Sequence, residues 1–477
     1  MAEKAEKKMG LGLLVAVGVG SMIGGGVFNS PTDLISVANP IPTLMAWVIG
    51  GAGVIFLALI FKLLAETRPD LKGGIYSYAR AGFGDFMGFL STWGYWVSGW
   101  FGNVAFFTLI IKTTNSLLGP EHQLKPIVAF LLASAILWFV VWLQTRGAKS
   151  VGIINFIVTI AKLLPLALVI ILGIFVFDPS IFAVDNWQNT LASAADSSLS
   201  ATSIGSQIGA AMGVILWCFI GVEASVVLAE KAESAKIVGK ATVFSIVITL
   251  LIYIGISVIA MGVIPADQLA QAGTPLAEVL GATVIGGAGA VIVKVGILVS
   301  LLGALLTWVM IAAQLPYVAA KEGILPKMFA KENSKGVPTG ALYITNGIVQ
   351  VFFLVLLSDK LQNMYNTLLL LATTCILIPY LLSSLYAFKV CREDKLSTGK
   401  LIISAIAVIY SIYVIFAVGL VFLGASFILY AIGMFAFIKA KKENNKPITG
   451  GEKLGIAIVS IIGIVMIILL ATGVISL

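Results

Sequence analysis

Three consecutive glycines, Gly24, Gly25 and Gly26, sit in the middle of the first long apolar stretch, Gly20-Ser21-Met22-Ile23-Gly24-Gly25-Gly26-Val27-Phe28. Glycine weakens a helix by about 1 kcal/mol relative to alanine. Backbone freed from a helix inside lipid costs several kcal/mol unless protein or water surrounds it. A helix that unwinds near Met22 to Gly25 restarts with unpaired N–H groups and a positive dipole end, which attract a carboxylate. The free carbonyls on the other side of the break can accept from an ammonium. A second candidate break lies in Trp217-Cys218-Phe219-Ile220-Gly221-Val222-Glu223. Two such breaks would grip both ends of an amino acid without a charged side chain. Small residues also let membrane helices pack closely; the matching pair of breaks favours the ligand.

Few charges lie inside the apolar segments. Glu223 stands beside the second break, and an ionisable group at that depth is a functional candidate. Two roles fit it equally: a proton-sensitive group linked to a gate, or a hydrogen-bonded strut for the unwound backbone. Lys162, in Ile160-Ala161-Lys162-Leu163-Leu164-Pro165, is the second buried charge. It is either titratable through desolvation or, the reading we prefer, a fixed cation. A cationic ligand side chain could lie over an aromatic face, an interaction worth about 2 kcal/mol when desolvated. Trp217, Trp308 and Tyr95 are the candidates, although tryptophans also serve as membrane-interface anchors.

These residues need a membrane frame. The 477-residue chain is 59% hydrophobic and 11% charged, with mean hydropathy +1.06, whereas soluble proteins carry about 25% charge. It reads as an all-α integral membrane protein, since the apolar runs approach or exceed the roughly 20 residues that span a bilayer. Five basic residues, Lys112, Lys125, Lys162, Lys294 and Lys360, fall at outer or intramembrane positions; the rest fall at the N-terminus or in alternate loops. This positive-inside pattern accounts for the net charge of +8 without nucleic acid. His122 reads as surface. Cys218 and Cys375 lie inside apolar segments, so no metal, cofactor or disulfide framework is indicated.

The pattern predicts thirteen spans, with the N-terminus inside and the C-terminus outside. Residues 1–10 form a cytoplasmic N-terminus, read as preceding a retained first helix and not a cleaved signal. Residues 11–177 hold five helices, the first over Leu11 to Ser36. The next five, over residues 205–390, start with a helix from Gly205 to Lys231. A polar outer loop, Asp178 to Ala201, separates the two sets. Ala65 to Gly82 reads as an inner loop, and Ala266 to Leu280 as an amphipathic outer cap. Helices 11 and 12 fill residues 399–440, and an extra helix occupies residues 452–477 with no transport role assigned. The first set begins inside and the second outside, each with an interrupted lead helix. Inverted repeats with broken helices mark secondary transporters with a midplane site.

GSMIGGGVF, the Trp217 to Glu223 segment, and Gln314 through AAKEGILPKMFAKENSKGVP resemble the amino acid–polyamine–organocation superfamily. Within it the chain is similar to the basic amino acid/polyamine antiporters, most like the arginine/ornithine exchangers. The resemblance covers twelve helices and implies a five-plus-five (5+5) inverted-repeat, LeuT-like transporter with broken helices 1 and 6. It implies that Ile23, Gly24, Gly25 and Gly26 contact the α-carboxyl and α-amino groups. Trp217 resembles an aromatic gate, with Cys218 and Ile220 beside it, and Tyr95 aligns with an aromatic that helps close the site. Ser98, Gly99 and Asn103 would line the side-chain end, and Trp308 would stack on a cationic group. Ala372 stands where a serine is found in an arginine/agmatine relative; Thr373 or Thr374 could substitute. Lys162 would occupy the place of sodium in related sodium-coupled folds.

The expected activity is electroneutral arginine/ornithine exchange across the cell membrane by alternating access. Alternatives are histidine/histamine or lysine/cadaverine exchange, a proton-coupled permease, and a non-transporting amino acid sensor. An enzyme is not expected. Partners would be amino acids and lipid; a homodimer is left open.

Overall fold

The computed structural model of the chain describes residues 10–71, 74–146, 151–182, 204–223, 233, 235–357 and 361–475, which form helices joined by short turns, with no strand among the described residues. In chain order the helices are α1 (Leu11–Met22), α2 (Gly26–Ile35), α3 (Pro40–Thr67), α4 (Ile75–Phe83), α5 (Asp85–Leu118), α6 (Pro126–Thr145), α7 (Val151–Gly173), α8 (Pro179–Phe182) and α9 (Ile204–Phe219). They continue as α10 (Ala235–Val263), α11 (Ala266–Gln271), α12 (Pro275–Gly281), α13 (Gly286–Lys321), α14 (Thr339–Phe352), α15 (Leu361–Glu393), α16 (Thr398–Ala417), α17 (Leu420–Glu443) and α18 (Gly450–Ala471).

Among the described residues nine helices are long and apolar enough to cross a membrane, and ten if the bent pair α1–α2 counts as one span. The other three predicted spans coincide with α7, α9 and α14. Among the described residues the apolar helices there are Lys162–Val176 and Ile204–Phe219, and α14 has 14 residues. The predicted end of the sixth helix at Lys231, most of the loop to Ala201, the N-terminal nine residues, and Lys72, Lys149 and Lys360 lie outside the described residues.

Hydropathy decides which helix faces lipid. The least apolar span, α5, has its whole apolar window buried, whereas the most apolar, α18, has 17% buried. Lipid cannot satisfy the serines, threonines and asparagines of α5, so other helices surround it. It packs along α15, α13 and α4. The broken pair lies nearby: α2 packs against α9, and α1 against α10.

The stretch predicted as an inner loop from Ala65 to Gly82 contains α4. Its Ile75, Tyr76 and Ala79 share the helical spacing of a buried face. Gly74 (φ +63°) and Gly84 (φ +90°) bound it in left-handed backbone that disfavours other residues. The predicted cap over Ala266 to Leu280 is two short helices, α11 and α12. The predicted ninth helix stops at Phe352 and tightens into a 3-10 turn over Phe353–Leu357. The last helix starts at a capping box in which Thr449 and Glu452 each bond the other's backbone N–H.

Candidate functional site

The first break is built from the glycine run. α1 ends at Met22, Ile23 leaves helical geometry (φ −72°, ψ 88°), and α2 restarts at Gly26. The two halves meet at a 46° bend. α9 ends at Phe219, and at the predicted second break Gly221 takes φ +105°. No other residue fits there: a Cβ on Gly221 would lie 2.8 Å from the Ser21 carbonyl oxygen. The breaks touch. Ser21 Oγ lies 3.1 Å from the Gly221 carbonyl oxygen. The Tyr253 hydroxyl, from α10, lies 2.9 Å from the Met22 oxygen and 2.8 Å from the Cys218 oxygen.

A cavity containing about 410 Å³ of empty space, partly open to solvent, opens between the breaks, α5 and α13. Of the predicted site residues, Gly24, Gly25, Gly26, Ser98, Gly99, Trp217, Cys218, Ile220 and Trp308 line it. Among the described residues that line it, none carries a charged side chain. Glycine is required where the walls converge: a Cβ on Gly26 would lie 2.7 Å from Trp217 Cδ1. Trp217 packs on Phe106 with ring centroids 5.9 Å apart, and Trp308 lies across the space beside Gly221.

Five predicted residues do not line this cavity. Ile23 is buried, and its carbonyl faces Lys162 instead. Tyr95 turns to Glu223, where its hydroxyl donates to Oε1 at 2.7 Å. Asn103 is buried on α5, and neither polar atom of its side chain has a hydrogen-bond partner. Thr373 and Thr374 bond the carbonyls of Leu369 and Leu370 on their own helix at 2.9 and 2.6 Å; a threonine in a long buried helix satisfies its hydroxyl most simply this way. Ser21, Met22, Gly102 and Phe106 line the cavity without having been singled out. The signal for the last two was available: Ser98, Gly102 and Phe106 recur every four residues on one face of α5.

The two buried charges stand behind the walls. Glu223 Oε2 accepts from the Tyr380 hydroxyl at 3.1 Å and the Gly221 N–H at 3.2 Å, so with Tyr95 it ties α5 and α15 to the second break. Lys162 donates to the carbonyl oxygens of Ile23, at 2.7 Å, and Gly20. Its ammonium thus serves the carbonyls that the first break leaves unpaired.

The arrangement offers a helix N-terminus and bare backbone on one side of the cavity and aromatic faces on the other. Residues 11–437 match the model of the amino acid permease family. An arginine/ornithine antiporter of Pseudomonas aeruginosa is 40% identical over 97% of this chain and 97% of its own length. An arginine/ornithine antiporter of Latilactobacillus sakei is 36% identical over 99% and 98%, and an arginine/agmatine antiporter of Chlamydia pneumoniae is 33% identical over 98% of each. These relatives are transporters and not enzymes. The chain, a multi-pass membrane protein whose broken first helix touches the turn after α9 beside a cavity, belongs to the amino acid permease family.

Proposed function

We propose that this chain is a secondary transporter that exchanges a cationic amino acid for its metabolic product, arginine for ornithine, across the cell membrane. The observation that carries this reading is the cavity between the Met22–Gly26 and Gly221 breaks, which offers backbone to the α-groups and Trp217 and Trp308 to a cation. The full-length likeness to named arginine/ornithine antiporters supports it. The α-carboxylate binds the N–H groups that open α2, and the α-ammonium binds carbonyls at the breaks. Ser98 and Gly99 line the side-chain end. Glu223, held by Tyr95 and Tyr380, closes one face of the site. Lys162 stands as a fixed cation that makes sodium unnecessary.

The reading includes thirteen spans, of which residues 11–177 and 205–390 form two inverted five-helix units. It places the lysine-rich loops and the N-terminus in the cytoplasm and the C-terminus outside, following the positive-inside rule. The bundle rocks about the fixed site to expose it to either side.

Arginine and ornithine each carry one net positive charge, so one-for-one exchange moves none. Preloading proteoliposomes with ornithine should stimulate labelled arginine uptake strongly, with no dependence on membrane potential. Uptake into empty vesicles driven equally well by a proton gradient would replace the exchanger with a proton-coupled permease. Exchange that generates current would point to a substrate pair of unequal charge.

A further inference from the structure

The apolar face of α6 ends in two cations without an acidic partner. α6 has 20 residues, about 30 Å at 1.5 Å per residue, which matches the hydrocarbon core of a bilayer. Only 28% of its apolar window is buried, so one face meets lipid. Trp138, Phe139 and Trp142 are exposed there, and the rings of Phe139 and Trp142 stack with centroids 5.8 Å apart. Trp138 Nε1 donates to Gln350 Oε1 of α14 at 3.0 Å, which fixes this face against its neighbour. Arg146 follows directly, at headgroup depth. Its guanidinium carbon lies 4.9 Å from the centre of the Trp142 ring.

The turn between α13 and α14 brings the second cation. Asn333 Oδ1 accepts from the N–H groups of Lys335 and Val337, each at 3.0 Å, and Gly336 takes φ +73°. The turn so tightened docks on the end of α6. Asn333 Nδ2 donates to the Thr145 carbonyl and Lys335 Nζ to the Arg146 carbonyl, both at 3.0 Å. These bonds cap carbonyls that the helix end leaves unpaired. Capping occupies one of the three donors of the Lys335 ammonium and none of the five on the Arg146 guanidinium. Elsewhere on this side Arg68, Arg80 and Lys441 each have a carboxylate. Here the neighbouring acid, Glu332, is taken by Lys321 and the Tyr317 hydroxyl. The chain holds no Asp or Glu between Glu121 and Asp178.

Two cations, one stacked on a lipid-facing indole, fit a phosphate that arrives from the membrane. A guanidinium takes a phosphate through two parallel N–H bonds, and lysine adds a point charge. Tryptophan favours this depth, and acyl chains on the same molecule run down the face of Phe139 and Trp138. A zwitterionic headgroup would bring its own ammonium beside two cations, so the site selects a lipid of net negative charge. We propose that Arg146 and Lys335 bind the headgroup phosphate of an anionic phospholipid in the leaflet on the side of the lysine-rich loops, with Trp142 as its floor. The bound headgroup ties α6 to the α13–α14 turn. The proposal goes beyond exchange and needs only the membrane setting of the chain.

The test reads tryptophan fluorescence of the purified full-length protein in detergent micelles. Phosphatidylglycerol or phosphatidylcholine with brominated acyl chains, which quench on contact, is titrated in. The Trp142 component is the difference between wild type and Trp142→Phe. Its half-quenching should need about fivefold less phosphatidylglycerol than phosphatidylcholine in the wild type. The double variant Arg146→Gln, Lys335→Gln should bring the two lipids within about twofold of each other. The control Lys395→Gln, Lys400→Gln, at the α15–α16 junction, should keep the preference. No preference in the wild type, a preference kept by the first double variant, or an equal loss in both double variants would overturn the site. Inorganic phosphate that abolishes the preference, where chloride of equal ionic strength does not, would make the ligand a soluble anion and overturn the lipid. Should the first double variant fail to fold, Arg146→Gln alone should cut the preference by about half, and an unchanged preference overturns the proposal.

Discussion

The hydroxyl of Tyr95 donates a hydrogen bond of 2.7 Å to Glu223. This contact joins α5, whose most apolar stretch is wholly buried, to Glu223, two residues past Gly221. A hydrogen bond to a charged group is worth about 1.5–3 kcal/mol. If the bond closes one face of the site, Tyr95→Phe should favour the state open to that face. The expected result is faster labelling of an introduced cysteine beside the cavity on that side, with the protein still folded. Unchanged labelling together with a lower melting temperature would make the contact a strut only.

Gly221 offers a sharper test of the break itself. Its φ of +105° and the 2.8 Å approach to the Ser21 oxygen leave no room for a methyl group. Left-handed backbone alone costs a non-glycine residue about 1–2 kcal/mol. Gly221→Ala should push the two breaks apart and reduce exchange at least tenfold, whereas Gly287→Ala, at a glycine with open space around it, should have little effect. Normal exchange in Gly221→Ala would remove the contact between the breaks from the mechanism.

Trp308 tests the choice of side chain. It lines the cavity together with Gly24, Gly25 and Gly26. Stacking a desolvated cation is worth about 2 kcal/mol, or about thirtyfold in affinity. Trp308→Ala should weaken arginine by roughly that factor and a neutral amino acid of similar size much less. Equal losses would leave Trp308 as a packing wall.

Lys162 bears on ion coupling. Lys162→Ala leaves the Gly20 and Ile23 carbonyls without their donor, at about 1–3 kcal/mol each. Exchange should fall at least tenfold, and wild-type exchange should be the same in sodium and choline media. A sodium requirement in the wild type would contradict the fixed-cation role.

Much of this was legible in the chain because lipid makes backbone irregularity rare and therefore informative. Gly24 to Gly26 and Gly221 stand out in apolar runs; the first marks a break between two helices and the second the turn where α9 ends. What failed was the aim of individual side chains. Tyr95 and Asn103 lie on the correct helix, but three or four residues turn a helix almost full circle and a smaller error swings a side chain away. Thr373 and Thr374 looked available because a sequence does not show a hydroxyl bonding its own helix. The helix α4 was missed because its buried face is short and flanked by glycines, which read as loop punctuation.

At the lysine-rich end, Arg68 makes two hydrogen bonds to Asp394, at 2.7 and 3.0 Å. They hold the Asp394 carboxyl below its ordinary value of 3.8. A depressed carboxylate contributes stability above its unfolded value and loses it as pH falls through the folded value. The melting-temperature difference between wild type and Asp394→Asn should therefore stay constant from about pH 8 to about pH 5, with loss confined to pH below the ordinary aspartate range. A difference that shrinks near neutrality would assign it to another group.

The last helix is docked by ions as well as by lipid-facing packing. Lys441, near the end of α17, lies 2.7 Å from Glu452 of α18 and 3.2 Å from Asp85 of α5, with its own side chain 7% exposed. Asp85 in turn pairs with Arg80 of α4, which reaches Glu322 beyond α13. Removing Glu452 leaves the buried Lys441 ammonium only Asp85, which Arg80 already pairs, and an under-compensated buried charge costs more than the pair contributes. Glu452→Gln should therefore lower the melting temperature by more than the double variant Glu452→Gln, Lys441→Met. Because α18 packs on α17, away from the cavity, neither variant should change the KM for arginine. A changed KM in the double variant, with stability restored, would show that the last helix acts on transport and not only on the fold.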